Sequence, residues 1–180
     1  MQTFAKHIGE YLKEYLVRFK AVDLQNRIDL NRFLEIECNL MREIVDRKNK
    51  LERKNELFDE KSYERNIKEQ LIRYQGRQRI LFACLDREVS GMIRYFFSND
   101  GFNNYVFLSS IYVLPSQRGN GIGRRMIRAC KSDAIYRQAR FIKVYADKYA
   151  VPFYEKLNFV HDKEKLERDD IVRMILPLNQ

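Results

Sequence analysis

A mixed α/β (α+β) fold, one layer of sheet flanked by helices, is predicted by the way the apolar period changes along this chain of 180 residues. Helical spacing in the first third gives way to alternation in the middle, and strands and helices then interleave to the end. No internal repeat or low-complexity run interrupts the pattern, and seven glycines and three prolines punctuate it. The length suits a single domain over residues 1–180, at about one domain per 150 residues. A chain of this size buries roughly 70% of its unfolded surface and needs neither disulfide nor metal to hold a core.

Each element has its own signal. Phe4, Ile8, Tyr11 and Leu12 share a helical face, so residues 1–13 read as an added N-terminal helix, followed by a short strand at Tyr15–Lys20. Leu30, Phe33, Leu34, Leu40, Met41, Ile44 and Val45 recur at three- and four-residue spacing, with Asp23 or Asp29 as N-cap. Asn49–Asn55, polar and mixed in charge, reads as a loop. Ser62 is the expected cap of a second helix with Tyr63, Ile67, Leu71 and Tyr74 on one face and Gly76 as its stop. Arg79–Leu85 and Val89–Phe97 form a hairpin across Asp86-Arg87-Glu88, and Ser98–Asn103 turns the chain again. The strand Tyr105–Leu114 must stop at Pro115, which has no N–H to donate. Helical spacing returns over Ile122–Tyr136, a strand follows at Phe141–Ala146, a helix at Ala150–Leu157, and strands at Phe159–Asp162 and Arg173–Leu178.

Composition excludes several classes of function. Cys38, Cys84 and Cys130 are an odd number, far apart and without a CxxC pair, and there are two histidines. Zinc clusters, disulfide scaffolds, c-type haem and a Cys/His dyad therefore find no support; no metal is expected, and the compartment reads as reduced and cytoplasmic. No apolar run approaches the about 20 residues needed to span a bilayer, so no membrane association is expected. Lys and Arg number 34 against 25 Asp and Glu, a net charge of +9, and residues 118–148 hold nine basic side chains against two acidic ones. An anion belongs there. Composition does not separate a phosphorylated cofactor from a polynucleotide.

The sharpest local signal is Pro115-Ser116-Gln117-Arg118-Gly119-Asn120-Gly121-Ile122-Gly123, between a strand and an amphipathic helix. Glycine lets backbone approach a ligand, and the helix start offers unpaired N–H groups with partial positive charge. Such a place binds phosphate. Arg124 stands where a P-loop requires its second glycine, and also where a dinucleotide GxGxxG requires its third, so both of those sites are excluded.

Arg118-Gly119-Asn120-Gly121-Ile122-Gly123 resembles the Arg/Gln-x-x-Gly-x-Gly/Ala motif of the GCN5-related N-acetyltransferases (GNAT). Val144-Tyr145-Ala146-Asp147, then Ala150 and Phe153-Tyr154-Glu155-Lys156-Leu157-Asn158-Phe159, is similar to that family's strand and helix ending in Phe-Tyr-Glu-Lys-x-Gly-Phe. The resemblance covers the chain from about Tyr15 to Leu178. It implies a central, mostly antiparallel, twisted sheet flanked by helices, and an N-acetyltransferase that passes acetyl from acetyl-CoA to a primary amine by direct attack in a ternary complex. It further implies that backbone N–H groups of Arg118, Gly119, Asn120, Gly121, Ile122 and Gly123 hold the CoA pyrophosphate, with Asp147 and Lys156 also beside the cofactor. Backbone of Ile111, Tyr112 and Val113 would pair with the pantetheine arm where a bulge parts that strand from the next, and polarise the thioester carbonyl. Tyr154 matches the tyrosine that protonates the departing thiolate.

The sequence departs from the family in three places. Many members place a glutamate on the strand before the loop, whereas Leu108-Ser109-Ser110-Ile111-Tyr112 has no acid. A water relay held by Ser109 or Ser110, or an acid from the first helices such as Glu35 or Glu37, is expected instead, although glutamates at such positions are usually solvated. Asp147 stands where Asn is common, and its charge near a polyanion requires Lys148 or Lys143 to offset it. Asn158 replaces the usual Gly at a helix end, and Asn is the next best residue for a left-handed cap. The acceptor is a small-molecule or peptide amine of unassigned identity; nucleic acid is a disfavoured partner, and a homodimer is compatible with the chain. The rival reading is a catalytically weak CoA-binding or nucleic-acid/ribosome-binding module on the same fold, which the missing strand acid and the charge of +9 motivate.

Overall fold

The computed structural model describes residues 17–53, 55–162 and 170–178. The expected helix over 1–13 and the start of the first strand lie outside them. The elements run β1 (Arg18–Ala21), α1 (Arg27–Glu52), α2 (Glu60–Arg73), β2 (Gln78–Leu85), β3 (Glu88–Asn99), β4 (Asn104–Val113), α3 (Ile122–Tyr136), β5 (Phe141–Asp147), α4 (Val151–Glu155), β6 (Val160–His161) and β7 (Ile171–Pro177). The strands form one seven-stranded sheet in the order β1-β2-β3-β4-β5-β7-β6. Every neighbouring pair is antiparallel except β4 with β5.

Local chemistry explains most boundaries, and it corrects three expectations. The cap of α1 is Asn26, whose side chain accepts from the N–H groups of Ile28 and Asp29 at 2.9 and 3.3 Å. Asp29 sits inside the first turn, where it takes the Lys20 ammonium at 2.7 Å and the Asp23 N–H at 3.2 Å. The Lys20 ammonium holds the Asp29 carboxyl below the usual carboxylate range. Asp59, three residues before Ser62, caps α2 and accepts the Ser62 N–H at 3.1 Å. The stretch expected to be a loop from Asn49 is helical to Glu52, since Lys, Leu and Glu are good helix formers however polar the run. The helix stops at Arg53, with φ 52°, and the Asn49 amide pins the exit by bonding both N–H and C=O of Glu56 at 2.9 and 2.8 Å.

The β2–β3 hairpin turns through Asp86 and Arg87, both at positive φ (50° and 72°), the two-residue geometry whose twist matches the strands. Asn158 adopts the left-handed cap after α4, with φ 65°. Two apolar layers sandwich the sheet. Phe33, Leu34 and Ile36 of α1 with Ile67 and Leu71 of α2 pack on Ile80, Phe82, Met92 and Tyr112. On the other face Ile122, Met126, Ile127 and Cys130 of α3 pack with Ile93, Tyr95, Val106, Leu108, Ile142 and Val144. Cys130 is wholly buried, and burial pushes its thiol up, so it packs rather than reacts.

The register makes an opening in the sheet. Arg94 faces Ser110 while Tyr95 faces Leu108, so Ser109 is an extra residue bulged out of β4. On its other side β4 pairs with β5 from Tyr105↔Phe141 to Leu108↔Val144 and no further. From the bulge onwards the two strands part.

Close backbone approach holds the intact side of β4. A Cβ built on Gly91 would lie 2.6 Å from the Tyr112 carbonyl oxygen, a backbone atom with little freedom to move. Gly91→Ala should therefore destabilise the protein by about 1–3 kcal/mol, the usual cost of overpacking. Denaturant unfolding checks this; wild-type stability would show that β3 and β4 separate there at no cost.

Candidate active site

The gap between the parted strands opens into a cleft of about 580 Å³. Ser109, Ser110, Ile111, Tyr112 and Val113 of β4 line one wall, and Val144, Tyr145, Ala146 and Asp147 of β5 the other. Its mouth is formed by Arg118, Gly119, Gly121, Ile122 and Gly123 at the start of α3, and its far side by Phe153, Tyr154 and Lys156 around α4. The expected strand, loop and α4 positions therefore line one cleft except Asn120, whose side chain turns back to donate to the Gln117 carbonyl at 3.3 Å, while Glu35, Glu37, Lys143 and Lys148 are not in its lining.

The mouth is built for close approach. Gly119 and Gly121 adopt φ of 82° and 70°, and a Cβ on either would meet nothing within 4 Å. The loop is thus held by glycine's conformational freedom and opens to the outside. Beyond it the first N–H groups of α3 have no acceptor within the helix and carry the positive end of its dipole. Arg118 behaves differently from expectation. Its N–H donates to the Pro115 carbonyl at 3.3 Å, and its guanidinium turns towards α1, donating to Glu43 at 2.6 Å and to the Val113 carbonyl at 3.0 Å. Glu43 also accepts from the Tyr112 hydroxyl, which fastens α1 to the cleft wall. That hydrogen bond adds to burial in raising the Tyr112 phenol to about 12.

Asp147 accepts the Tyr149 N–H at 2.8 Å. The lysines expected to offset it are committed elsewhere: Lys148 lies 3.4 Å from Glu52, and Lys143 lies over the Tyr105 and Phe141 rings. Tyr154 is 5% exposed and packs edge-on against Phe153 and Phe159. Burial raises its phenol, so it stays protonated at neutral pH.

The missing strand acid has a counterpart across the sheet face. Glu37 of α1 is 2% exposed, not solvated, and accepts the Ser110 hydroxyl at 2.6 Å and the Tyr63 hydroxyl at 3.2 Å. Arg94, fully buried, lies 3.9 Å from it and over the Phe96 ring. Glu35 is exposed and pairs with Arg32. A second cavity, also of about 580 Å³, shares Ser109 with the lining of the cleft and has Tyr74, Phe96 and Phe107 in its own. Sequence reasoning placed Glu43 with Glu35 and Glu37 in an acidic patch bordering the acceptor groove, but missed its pairing with Tyr112 and Arg118, Arg47 one turn further along α1, and this cavity.

The comparisons agree with this geometry. The family model described as an acetyltransferase (GNAT) domain matches residues 45–176, and the chain belongs to the GNAT acetyltransferase family. A predicted acetyltransferase from Clostridium acetobutylicum, solved with acetyl-CoA, superposes with a TM-score of 0.63 at 20% identity, over 85% of this chain and 96% of that one. The PaiA N-acetyltransferase from Thermoplasma acidophilum, in complex with coenzyme A, gives 0.67 at 14% identity over 89% and 98%. A transcriptional regulator from Bacillus halodurans C-125 gives 0.62 at 23% over 84% and 98%. At these identities the likeness is one of fold. A search of the curated proteins gave no match. Among the described residues no helix is long and apolar enough to cross a membrane, and no group of metal-binding side chains occurs.

Glu37 and Arg94 are buried together, so removing the acid strands a guanidinium in the core. Glu37→Ala should cost about 3–5 kcal/mol, the range for breaking a buried pair from one side. Chemical denaturation reads it; a loss within that of a surface substitution would show that water reaches Arg94.

Proposed function

We propose that the protein transfers acetyl from acetyl-CoA to a primary amine by direct attack within a ternary complex. The observation that carries this reading is a single cleft joining an open strand edge, a glycine loop at a helix start and a buried tyrosine. The residues fit the cofactor: the loop is open over Gly119 and Gly121, and Arg47, Arg124 and Lys156 line the same cleft. Bound acetyl-CoA supplies an acyl group already activated as a thioester.

The chain's own residues do the rest. N–H groups from Gly119 to Gly123 hold the diphosphate at the α3 terminus, where backbone and dipole both favour an anion. The unpaired edge of Ile111–Val113 offers main-chain donors and acceptors to the amide-bearing arm, and aims N–H at the oxygen on which charge develops. Tyr154 gives its proton to the leaving sulfur. Its raised phenol makes a weak acid, so the donation depends on a thiolate that the same dry cleft also deprives of water. The acceptor enters from the second cavity over Tyr74, Phe96 and Phe107 and meets the acyl group at Ser109.

CoA at 100 times its dissociation constant should raise stability by about 2.7 kcal/mol, read as a thermal shift. An unchanged melting curve would sink the proposal. Tyr154→Phe keeps the ring packing and should lower turnover by roughly 10²–10⁴ with CoA affinity unchanged. Full turnover in that variant would return proton delivery to water.

A further inference from the structure

We infer that Glu37 is the proton acceptor of the transfer, reached from the cleft through the Ser110 hydroxyl; this rests on the acetyltransferase reading above. An amine with a lysine-like value near about 10.4 is protonated at neutral pH and must lose a proton to react. The nearest strand carries no acid. Ser110 faces both ways: it lines the cleft, and its hydroxyl donates to Glu37 Oε1 at 2.6 Å.

The surroundings of Glu37 suit a base more than a structural ion pair. Tyr63 from α2 donates to Oε2 at 3.2 Å, so both oxygens are oriented. Arg94 from β3 stands 3.9 Å from Oε1, beyond hydrogen-bond distance, and its Nε and Nη1 make no hydrogen bond. A bidentate guanidinium would hold the carboxylate ionised and weakly basic; at this distance it favours the charge without occupying the oxygen that Ser110 uses. Glu37 in turn is among the charges that raise the thiol of Cys38, the next residue of α1. Burial pushes the Glu37 carboxyl up, against the Ser110 and Tyr63 hydrogen bonds and the Arg94 charge. A base shifted towards neutrality takes a proton better than an ordinary carboxylate.

The protons balance. The acceptor ammonium gives one proton to Ser110 Oγ while Ser110 gives its own to Glu37 Oε1; the free amine then bonds to the acyl carbon, and the nitrogen's second proton replaces the one that Tyr154 gives up. The carbon–sulfur bond breaks, and the Tyr154 hydroxyl gives a proton to the sulfur. Afterwards Glu37 returns its proton to solvent through Ser110, and Tyr154 regains one, so neither side chain is consumed.

Two readouts test this. NMR of ¹³C-labelled glutamate carboxyls, with Glu37 assigned by its absence in Glu37→Gln, follows its ionisation directly in the protein with and without CoA. Release of CoA thiol from acetyl-CoA with glycinamide, benzylamine or spermidine gives the pH profile of turnover. Glu37 should be ionised in mildly alkaline buffer and titrate above the usual carboxylate range, at the same pH as the acid limb of kcat/KM. Glu37→Gln and Ser110→Ala should lose that limb and slow turnover by roughly 10²–10⁴, with KM for acetyl-CoA unchanged. Tyr63→Phe, which removes a hydrogen bond to the charged form, should move the limb to higher pH. A Glu37 carboxyl that stays protonated in mildly alkaline buffer overturns the relay, as does a Glu37→Gln enzyme with the wild-type profile. If CoA shifts the melting of neither wild type nor variants, the acetyltransferase reading falls and the relay with it; a CoA shift with a protonated Glu37 removes the relay alone.

Discussion

The parting of β4 from β5 is the constraint on which the rest of the site depends. Strands paired along their full length would satisfy each other's backbone groups and leave no room between them. Here pairing stops at Leu108 and Val144, because Ser109 bulges and shifts the register by one. The shift has two effects at once: it frees an edge over Ile111–Val113, and it turns Ser110 and Tyr112 onto the face that α1 covers. Loop, helix start and Tyr154 then close around a gap already made by the strands.

The face covered by α1 carries most of the unusual electrostatics. Two acids of one helix reach β4 and the loop after it, Glu37 to Ser110 and Glu43 to Tyr112 and Arg118. The first is dry and the second half-exposed, so the same residue type meets two dielectric environments within two turns. Glu43 fixes a guanidinium that composition alone would assign to phosphate. Because the pair is partly exposed, its contribution is small and weakens with salt, and its effect is to set where Arg118 points.

Much of the fold was legible because its signals are local. The hairpin at Asp86-Arg87, the stop at Pro115, the glycine loop and the left-handed Asn158 each follow from the conformations those residues permit. The cleft walls were legible through the loop motif and the Phe153–Phe159 segment. What escaped was set by tertiary contact. Asn26 rather than Asp23 or Asp29 is the cap: Asp29 is bound inside the first turn to Lys20 of β1, and Asp23 accepts the Gln25 N–H. The last turn of α1 lacks an apolar stripe and reads as a loop, yet the helix extends to Glu52 through good helix formers and ends where Asn49 bonds Glu56. Glu37 resembles any solvated helix glutamate until α1 is laid across Ser110, 73 residues away.

On the proposed function, a CoA-type ligand occupies the gap between β4 and β5 and is gripped by backbone. Hydrogen exchange at single-amide resolution, with and without CoA, tests it most directly, since it reads the N–H groups said to make the contacts. Exchange should slow at residues 111–113 and 119–124 on addition of CoA, with the β2–β3 hairpin unchanged. Protection that spares both segments while CoA binds elsewhere would contradict it.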